Sequence, residues 1–343
     1  MPNILLTSKC TRSCPYCFAE REMNSSPDQI LSWENLIYLA DFMAASGERA
    51  ISLLGGEPTL HPLFVDFVLY LLQREFRVNV FTNGIMSSHR LLELKEHLGA
   101  VPNERLSFVC NLNNPEQTDA PAWQQKSVEE FLGAMGPWTQ PGFNIYRVDF
   151  DLEFLFDLVN RYGMKRRLRL GLAHPVPGAE TAYIKPSEIG LAIERLYSYR
   201  QLFEGFQLDF VPDCGFPLCK FSNEQLGWLY RIGGVEMRFK CSPAIDITPD
   251  MNVYACFPLS NINRRSIFEF DNMRQVVDIF AETHRKIRAE AKGIYPECDD
   301  CAQMNNGTCS GGGACQLLNI FKNEASVRLP EIESELKNTC LPV

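Results

Sequence analysis

Residues 3–17, NILLTSKCTRSCPYC, place Cys10, Cys14 and Cys17 in a C-x3-C-x2-C spacing directly behind a short apolar run. A run of that length is a buried strand rather than a helix, so the cysteines fall on the loop that leaves it. Outward from this point, short apolar runs alternate with amphipathic stretches for about two hundred residues, the pattern of βα units joined by right-handed crossovers. Strands are expected near 3–9, 50–54, 77–82, 105–111, 143–149 and 167–173, with helices near 33–46, 62–75, 87–98, 123–134, 152–162 and 187–204. Six repeats are too few to close a (β/α)8 barrel and suit a partial (β/α)6 TIM-type barrel, an α/β fold with its reactive groups at the C-terminal strand ends. Residues 1–205 are assigned to this barrel and residues 206–343 to a small Cys-rich domain. The second unit opens with FQLDFVPDCGFPLCKF, holds a helix near 272–292, and ends in the loop CDDCAQMNNGTCSGGGACQ. So few core-forming residues imply that metal or covalent links hold it together.

The composition narrows the function classes. A net charge of −9 with no Lys/Arg run argues against nucleic acid as a partner. No window approaches the roughly 18 apolar residues of a membrane span. The N-terminus lacks a basic region, an apolar stretch and a cleavage site in series, so a cytoplasmic location is expected. Thirteen cysteines then point to metal or redox chemistry, because cytosolic thiols stay reduced.

Three thiolates on one loop can hold three irons of a cubane cluster and leave the fourth iron open to a small molecule. A zinc loop is the alternative for any C-x2-C. Directly behind the second expected strand stands GGEP, Gly55, Gly56, Glu57 and Pro58, where two glycines let backbone approach a ligand and a carboxylate can fix the chain.

The segment CTRSCPYC, with Tyr16 as the aromatic, resembles the C-x3-C-x-aromatic-C motif of the radical S-adenosylmethionine (radical SAM) superfamily, and GGEP stands where that family carries its GGE(P) segment. The resemblance implies a [4Fe–4S] cluster on Cys10, Cys14 and Cys17 whose open iron is chelated by S-adenosyl-L-methionine. One electron from the cluster then gives methionine and a 5′-deoxyadenosyl radical. It also implies cofactor contacts from Tyr16, the GGEP segment, Thr82, Asn83 and Gly84, with Asn111, Asn144 and the stretch Leu170 to Ala173 near the ribose and adenine. An external electron donor such as flavodoxin or ferredoxin is implied as a partner.

Further on, CSPAIDITPDMNVYAC, followed by C-x2-C-x7-C-x5-C and a late Cys, resembles the SPASM extension, which carries two auxiliary [4Fe–4S] clusters; the shorter twitch extension carries one. Carried over, Cys241, Cys256 and Cys315 would bind the first auxiliary cluster, with a fourth ligand from Cys219 or Cys214. Cys298, Cys301, Cys309 and Cys340 would bind the second. This sequence departs from the pattern in its longer spacings between 301 and 315, in Asn252 where Gly is common, and in how far upstream Cys214 and Cys219 sit. Structural zinc remains the alternative for this region.

The resemblance implies radical abstraction of hydrogen from a C–H bond, with post-translational crosslinking or oxidation of a ribosomally made peptide as the leading expectation. Alternatives are epimerisation or dehydrogenation of a small molecule such as an aminoglycoside-type sugar, and a non-catalytic metal-binding or electron-transfer role. Epimerisation needs a thiol hydrogen donor, for which Cys110 and whichever of Cys214 and Cys219 is not a ligand are the candidates. Phe257 stands where sulfatase maturases of the family carry an Asp, and Asp149, Asp209 and Asp213 are the candidate replacement bases. With the triad starting at residue 10, a peptide substrate is expected to be recognised by the barrel itself or by a separate leader-peptide-binding protein. No chemistry is assigned to the histidines.

Overall fold

The computed structural model describes residues 1–118, 120–176, 180–233, 239–290 and 292–324. Cys340 lies outside them. Seven parallel strands run in chain order across one sheet: β1 (Asn3–Leu5), β2 (Ala50–Leu54), β3 (Arg77–Thr82), β4 (Leu106–Asn111), β5 (Thr139–Ile145), β6 (Arg167–Leu172) and β7 (Asp209–Pro212). Between them run α1 (Glu20–Ser25), α2 (Trp33–Ala45), α3 (Phe64–Gln73), α4 (Ser88–Leu98), α5 (Ala122–Met135), α6 (Glu153–Arg161), α7 (Ile189–Ser198) and α8 (Arg200–Gly205). The helices start where a side chain can take an orphan N–H: Ser32 accepts from Asn35 at 3.1 Å, and Ser87 from Arg90 at 3.2 Å.

Strand alternation separates core from interior. On β4, Phe108 packs edge-on against Phe131 of α5 at 5.6 Å, and Cys110 lies on the same helix-facing side among fully buried residues. Val109 and Asn111 face the barrel interior.

The sheet is not closed. Its order is β10-β9-β8-β1-β2-β3-β4-β5-β6-β7, with β7 at one edge. After α9 (Asn223–Gly233), the antiparallel pair β8 (Ile245–Ile247) and β9 (Asn252–Ala255) joins β1, and β10 (Arg265–Ser266) completes the sheet. Beyond it come α10 (Met273–Glu290), α11 (Ala302–Asn305) and α12 (Ala314–Glu324). No helix among the described residues is long and apolar enough to cross a membrane.

Three sequence expectations are corrected. The βα alternation does not stop at about 205, because β7 pairs in parallel with β6 inside the FQLDFVPDC segment. The fifth strand begins at Thr139, not near 143. Pro141 and Gly142 read as a turn, yet Gly142 is where β5 passes close to β4, and a Cβ there would stand 3.2 Å from Val109. The long helix expected over 187–204 breaks at Tyr199, whose hydroxyl donates to Asp151 at 3.0 Å.

Candidate metal and cofactor centre

Cys10, Cys14 and Cys17 line one wall of a cavity of about 310 Å³ over the strand ends. Their loop is clamped to the end of β2 by backbone: the Gly56 N–H donates to Thr7 O at 2.8 Å and the Glu57 N–H to Lys9 O at 2.7 Å. A Cβ on Gly56 would lie 2.2 Å from Lys9 O, so the contact requires glycine. Glu57 is fully buried and does not line the cavity. One of its oxygens accepts from Thr82 Oγ1 at 2.8 Å, Thr59 Oγ1 at 2.7 Å and the Thr59 N–H at 3.2 Å, and the other from the Asn83 N–H at 2.7 Å. It staples β2 to β3. Pro58 is likewise buried away from the cavity, which Gly55, Gly56, Thr82 and Asn83 do line.

Asn83 reaches back to the loop, donating to Thr11 Oγ1 at 3.1 Å and to Cys10 Sγ at 3.7 Å. Arg12 crosses the ends of β3 and β4, with Nη1 3.0 Å from Asn111 O. Tyr16 donates to Asn113, accepts from Asn111 Nδ2 at 3.0 Å, and stacks on Tyr146 at 4.8 Å. Asn144 donates to Asn111 Oδ1 at 3.0 Å, completing a polar ladder from the triad loop to β5. On β6 the register is corrected: Arg169 and Leu172 line the cavity, followed by His174, while Leu170 and Ala173 do not.

Burial raises the thiol pKa of all three triad cysteines, Cys17 to about 12, and neighbouring thiols raise those of Cys10 and Cys17 further. Arg12 opposes this at Cys14. Thiols gathered this way hold their protons until a cation relieves the repulsion.

The same cavity is also lined by Cys214, Cys241, Cys256 and Cys315, with His174 and His284. Cys214 Sγ is 3.3 Å from His174 Nε2, and the Ala244 N–H donates to Cys256 Sγ at 3.3 Å. Burial raises Cys214 to about 12 and lifts Cys241 and Cys256, and the Cys214 thiol adds to both. Burial alone would lower the His174 pKa, but Cys315 and Asp213 outweigh it and leave it raised. Cys214 lines the cavity together with Cys241, Cys256 and Cys315. Cys219 is not in this cavity.

Cys110 is corrected as a candidate hydrogen donor by its burial. It is sealed on the helix-facing side of β4, next to Gly84, with its pKa pushed by burial to about 12. Asp213 does line the cavity, ion-paired to Arg169 at 2.5 Å, whose guanidinium lies over Phe81 at 5.1 Å. Asp149 pairs with Arg147 at the surface and Asp209 is exposed. The carboxylate missed in the sequence is Asp246 on β8. It lines the cavity at 1% exposure, accepts from Asn3 Nδ2 at 2.7 Å, and has its pKa raised by burial to about 7. Its one signal was an acid alternating with isoleucines in IDI, which puts it on the face opposite theirs. His174 and His284 were also passed over. Both ring nitrogens of His284 are buried without a hydrogen-bond partner.

Among the described residues no three His, Cys, Asp or Glu side chains converge on a single ion position. Zinc needs four donors about 2.0–2.3 Å from one point, whereas a cubane takes one thiolate per corner. Gathered thiols with backbone N–H groups on sulfur suit the cluster. A larger groove of about 670 Å³ lies outside, between the triad loop, α5 and α6, and shares only Arg12 with the cavity.

Residues 4–107 match the model of the Radical SAM superfamily. Over 96 residues the chain is 36% identical to the sporulation killing factor maturation protein SkfB of Bacillus subtilis, covering 28% of this chain and 23% of that one. Over 93 residues it is 34% identical to a probable GTP 3′,8-cyclase of Archaeoglobus fulgidus, covering 27% and 30%. The chain spans less than a third of the length of these curated relatives. The crystal structure of Streptococcus suis SuiB bound to S-adenosylmethionine superposes with a TM-score of 0.60 at 15% identity, over 91% of this chain and 73% of that one. The likeness establishes the α/β partial-barrel fold.

Proposed function

We propose that this chain is a radical S-adenosylmethionine enzyme that modifies a ribosomally made peptide by crosslinking or oxidation. The observation that carries its chemistry is the Cys10, Cys14, Cys17 loop, clamped on Gly56 and facing a cavity with polar strand ends below it. Bound there, a [4Fe–4S] cluster with S-adenosylmethionine on its open iron would supply one-electron C–S cleavage and a 5′-deoxyadenosyl radical that abstracts hydrogen from a C–H bond. The chain's own residues orient and shield. Glu57 fixes Asn83 beneath Cys10, and Asn111 and Asn144 offer hydrogen-bonding edges on the cavity floor. Leu54, Phe81, Val109 and Leu172 give it apolar walls that exclude water. Cys214, Cys241, Cys256 and Cys315 would hold an auxiliary cluster across the same cavity, placed to take up an electron from an oxidised substrate.

A peptide substrate is supported by the match to SkfB, named as a maturation protein, and by the fold shared with SuiB, whose structure holds a precursor peptide. The polar groove beside the triad loop suits an extended chain entering past Arg12. The test is anaerobic reconstitution with iron and sulfide, then dithionite reduction with S-adenosylmethionine and chromatography for 5′-deoxyadenosine. Candidate precursor peptides are then added and their masses followed for loss of two hydrogens. Stoichiometric zinc with no 5′-deoxyadenosine would sink the radical chemistry. Cleavage with an unchanged peptide would sink the substrate class.

A further inference from the structure

We infer that Cys219, with Cys298, Cys301 and Cys309, forms the ligand set of a second auxiliary iron–sulfur cluster, in the place that the family resemblance gives to Cys340. This rests on the iron–sulfur reading above and departs from it in the identity of one ligand.

Two tethers bring Cys219 to the other three cysteines. Its neighbour Lys220 sets Nζ 3.9 Å from the ring of Tyr295, the residue that caps the turn Pro296–Cys298, and Tyr295 is itself pinned by a 2.7 Å hydrogen bond to Pro186 O. Two residues further on, Phe221 packs on Phe239 at 5.6 Å. Phe239 forms a parallel bridge with Cys309, and its carbonyl accepts from the Ser310 N–H at 2.9 Å. One short segment, 219–221, is therefore held against both the Cys298 turn and the Cys309 strand. Cys301 is joined to Cys298 by a backbone hydrogen bond of 3.3 Å.

The surroundings are those of a cluster. Bare backbone crowds Cys298: a Cβ on Gly293 would stand 2.4 Å from its sulfur, and one on Gly311, at φ +61, would stand 3.3 Å away. The Gly311 N–H donates to Cys309 Sγ at 3.3 Å, the bond type that tunes thiolate ligands. The thiolate charges of Cys298 and Cys309 act on Cys219, and those of Cys309 and Cys301 act on Cys298, so the four share one electrostatic neighbourhood. None of the four borders the cavity of the first auxiliary group. These contacts thus bring the segments that carry these four thiols together within the described residues.

The experiment uses the full chain with Cys10, Cys14 and Cys17 all replaced by Ala, so that only auxiliary iron is counted. After anaerobic reconstitution this protein is expected to hold about eight irons and eight sulfides, the content of two cubanes. Adding Cys219→Ala opens one iron of that cluster, so it should shift or remove one of two electron paramagnetic resonance signals of the reduced protein, with iron between about four and about eight. Adding Cys340→Ala should change neither the iron nor the signals. Both signals unchanged by Cys219→Ala, iron or a signal lost with Cys340→Ala, or zinc in place of iron would each overturn the assignment. If Cys219→Ala does not fold by circular dichroism and gel filtration, Cys219→His keeps a ligand. It should then hold about eight irons with one signal shifted, and an unshifted spectrum overturns the assignment. Failure of the radical reading is seen separately, as absence of 5′-deoxyadenosine from the chain with its triad intact.

Discussion

Glu57 shows how a residue can matter to a cofactor site without touching it. The sequence placed it as a contact of S-adenosylmethionine, and the structure buries it completely with four donors on its two oxygens. Glu57→Gln would turn an NH2 group toward one of those donors and leave it unpaired, at a cost of about 1–3 kcal/mol. The expected outcome is a lower melting temperature together with weaker iron loading of the triad, because Asn83 loses its anchor beneath Cys10. Unchanged melting would show that the staple carries no load. Asp246 gives a pH dependence. Its folded pKa of about 7 lies above the ordinary carboxylate value of about 3.9, so between those values the unfolded chain has lost a proton that the folded chain keeps. Stability therefore falls as pH rises from about 4 to about 7 and stays lowered above that. Asp246→Asn keeps the acceptor for Asn3 and removes the charge, so it should raise the melting temperature at pH 8 and leave it unchanged at pH 4. No gain at pH 8 would mean that the carboxylate is ionised and satisfied. Neither role was legible in the sequence. Glu57 looked like a ligand because a motif records where a residue stands and not which way it points, and Asp246 sits in a three-residue strand too short to show its period.

The Cys loop, β2 and β3 act as one element. Their C-terminal ends are fastened by the Gly56 and Glu57 amides and by the Glu57 carboxylate, so the loop's shape depends on contacts between strands rather than on its own sequence. Gly56→Ala puts a methyl group 2.2 Å from Lys9 O, which is backbone and cannot swing aside. Triad iron should fall severalfold on reconstitution while auxiliary iron is retained, measured by iron content beside the Cys10/Cys14/Cys17→Ala protein. Full triad iron would show that the loop can shift without cost. The strands that positioned this site, near 3–9, 50–54 and 77–82, were readable from apolar or alternating runs, although the first ends at Leu5 rather than near residue 9. The elements that were misread fail for local reasons. Thr139 to Gly142 carries turn-forming residues inside a strand, and β7 carries Pro212 in a parallel edge position, where its missing N–H does no harm. The cysteines of the second half could not be sorted by spacing either, since Cys214 lines the central cavity and Cys219, five residues on, does not.

The chain reads as two units, yet its sheet joins them at the strand that carries the triad. β1 is only three residues long and is paired on both sides, by β2 and by β8 of the Cys-rich half. Without β8, β1 would be an exposed sheet edge with the Cys loop at its end. A second tie lies beside the loop. Glu22 of α1, 8% exposed, receives both carboxylate contacts from Arg264 Nη1, at 2.7 and 2.8 Å, and Arg264 lies over the ring of Tyr254 on β9. A partial barrel that borrows its first neighbour from the other half should not unfold alone. Calorimetry of the reconstituted protein should therefore show one transition, with calorimetric and van't Hoff enthalpies in a ratio of about one. Arg264→Ala should move that transition down as a whole rather than split it. Two resolved transitions, the lower one accompanied by loss of auxiliary iron while the triad stays loaded, would show instead that the barrel is stable by itself and that β8 merely rests on β1.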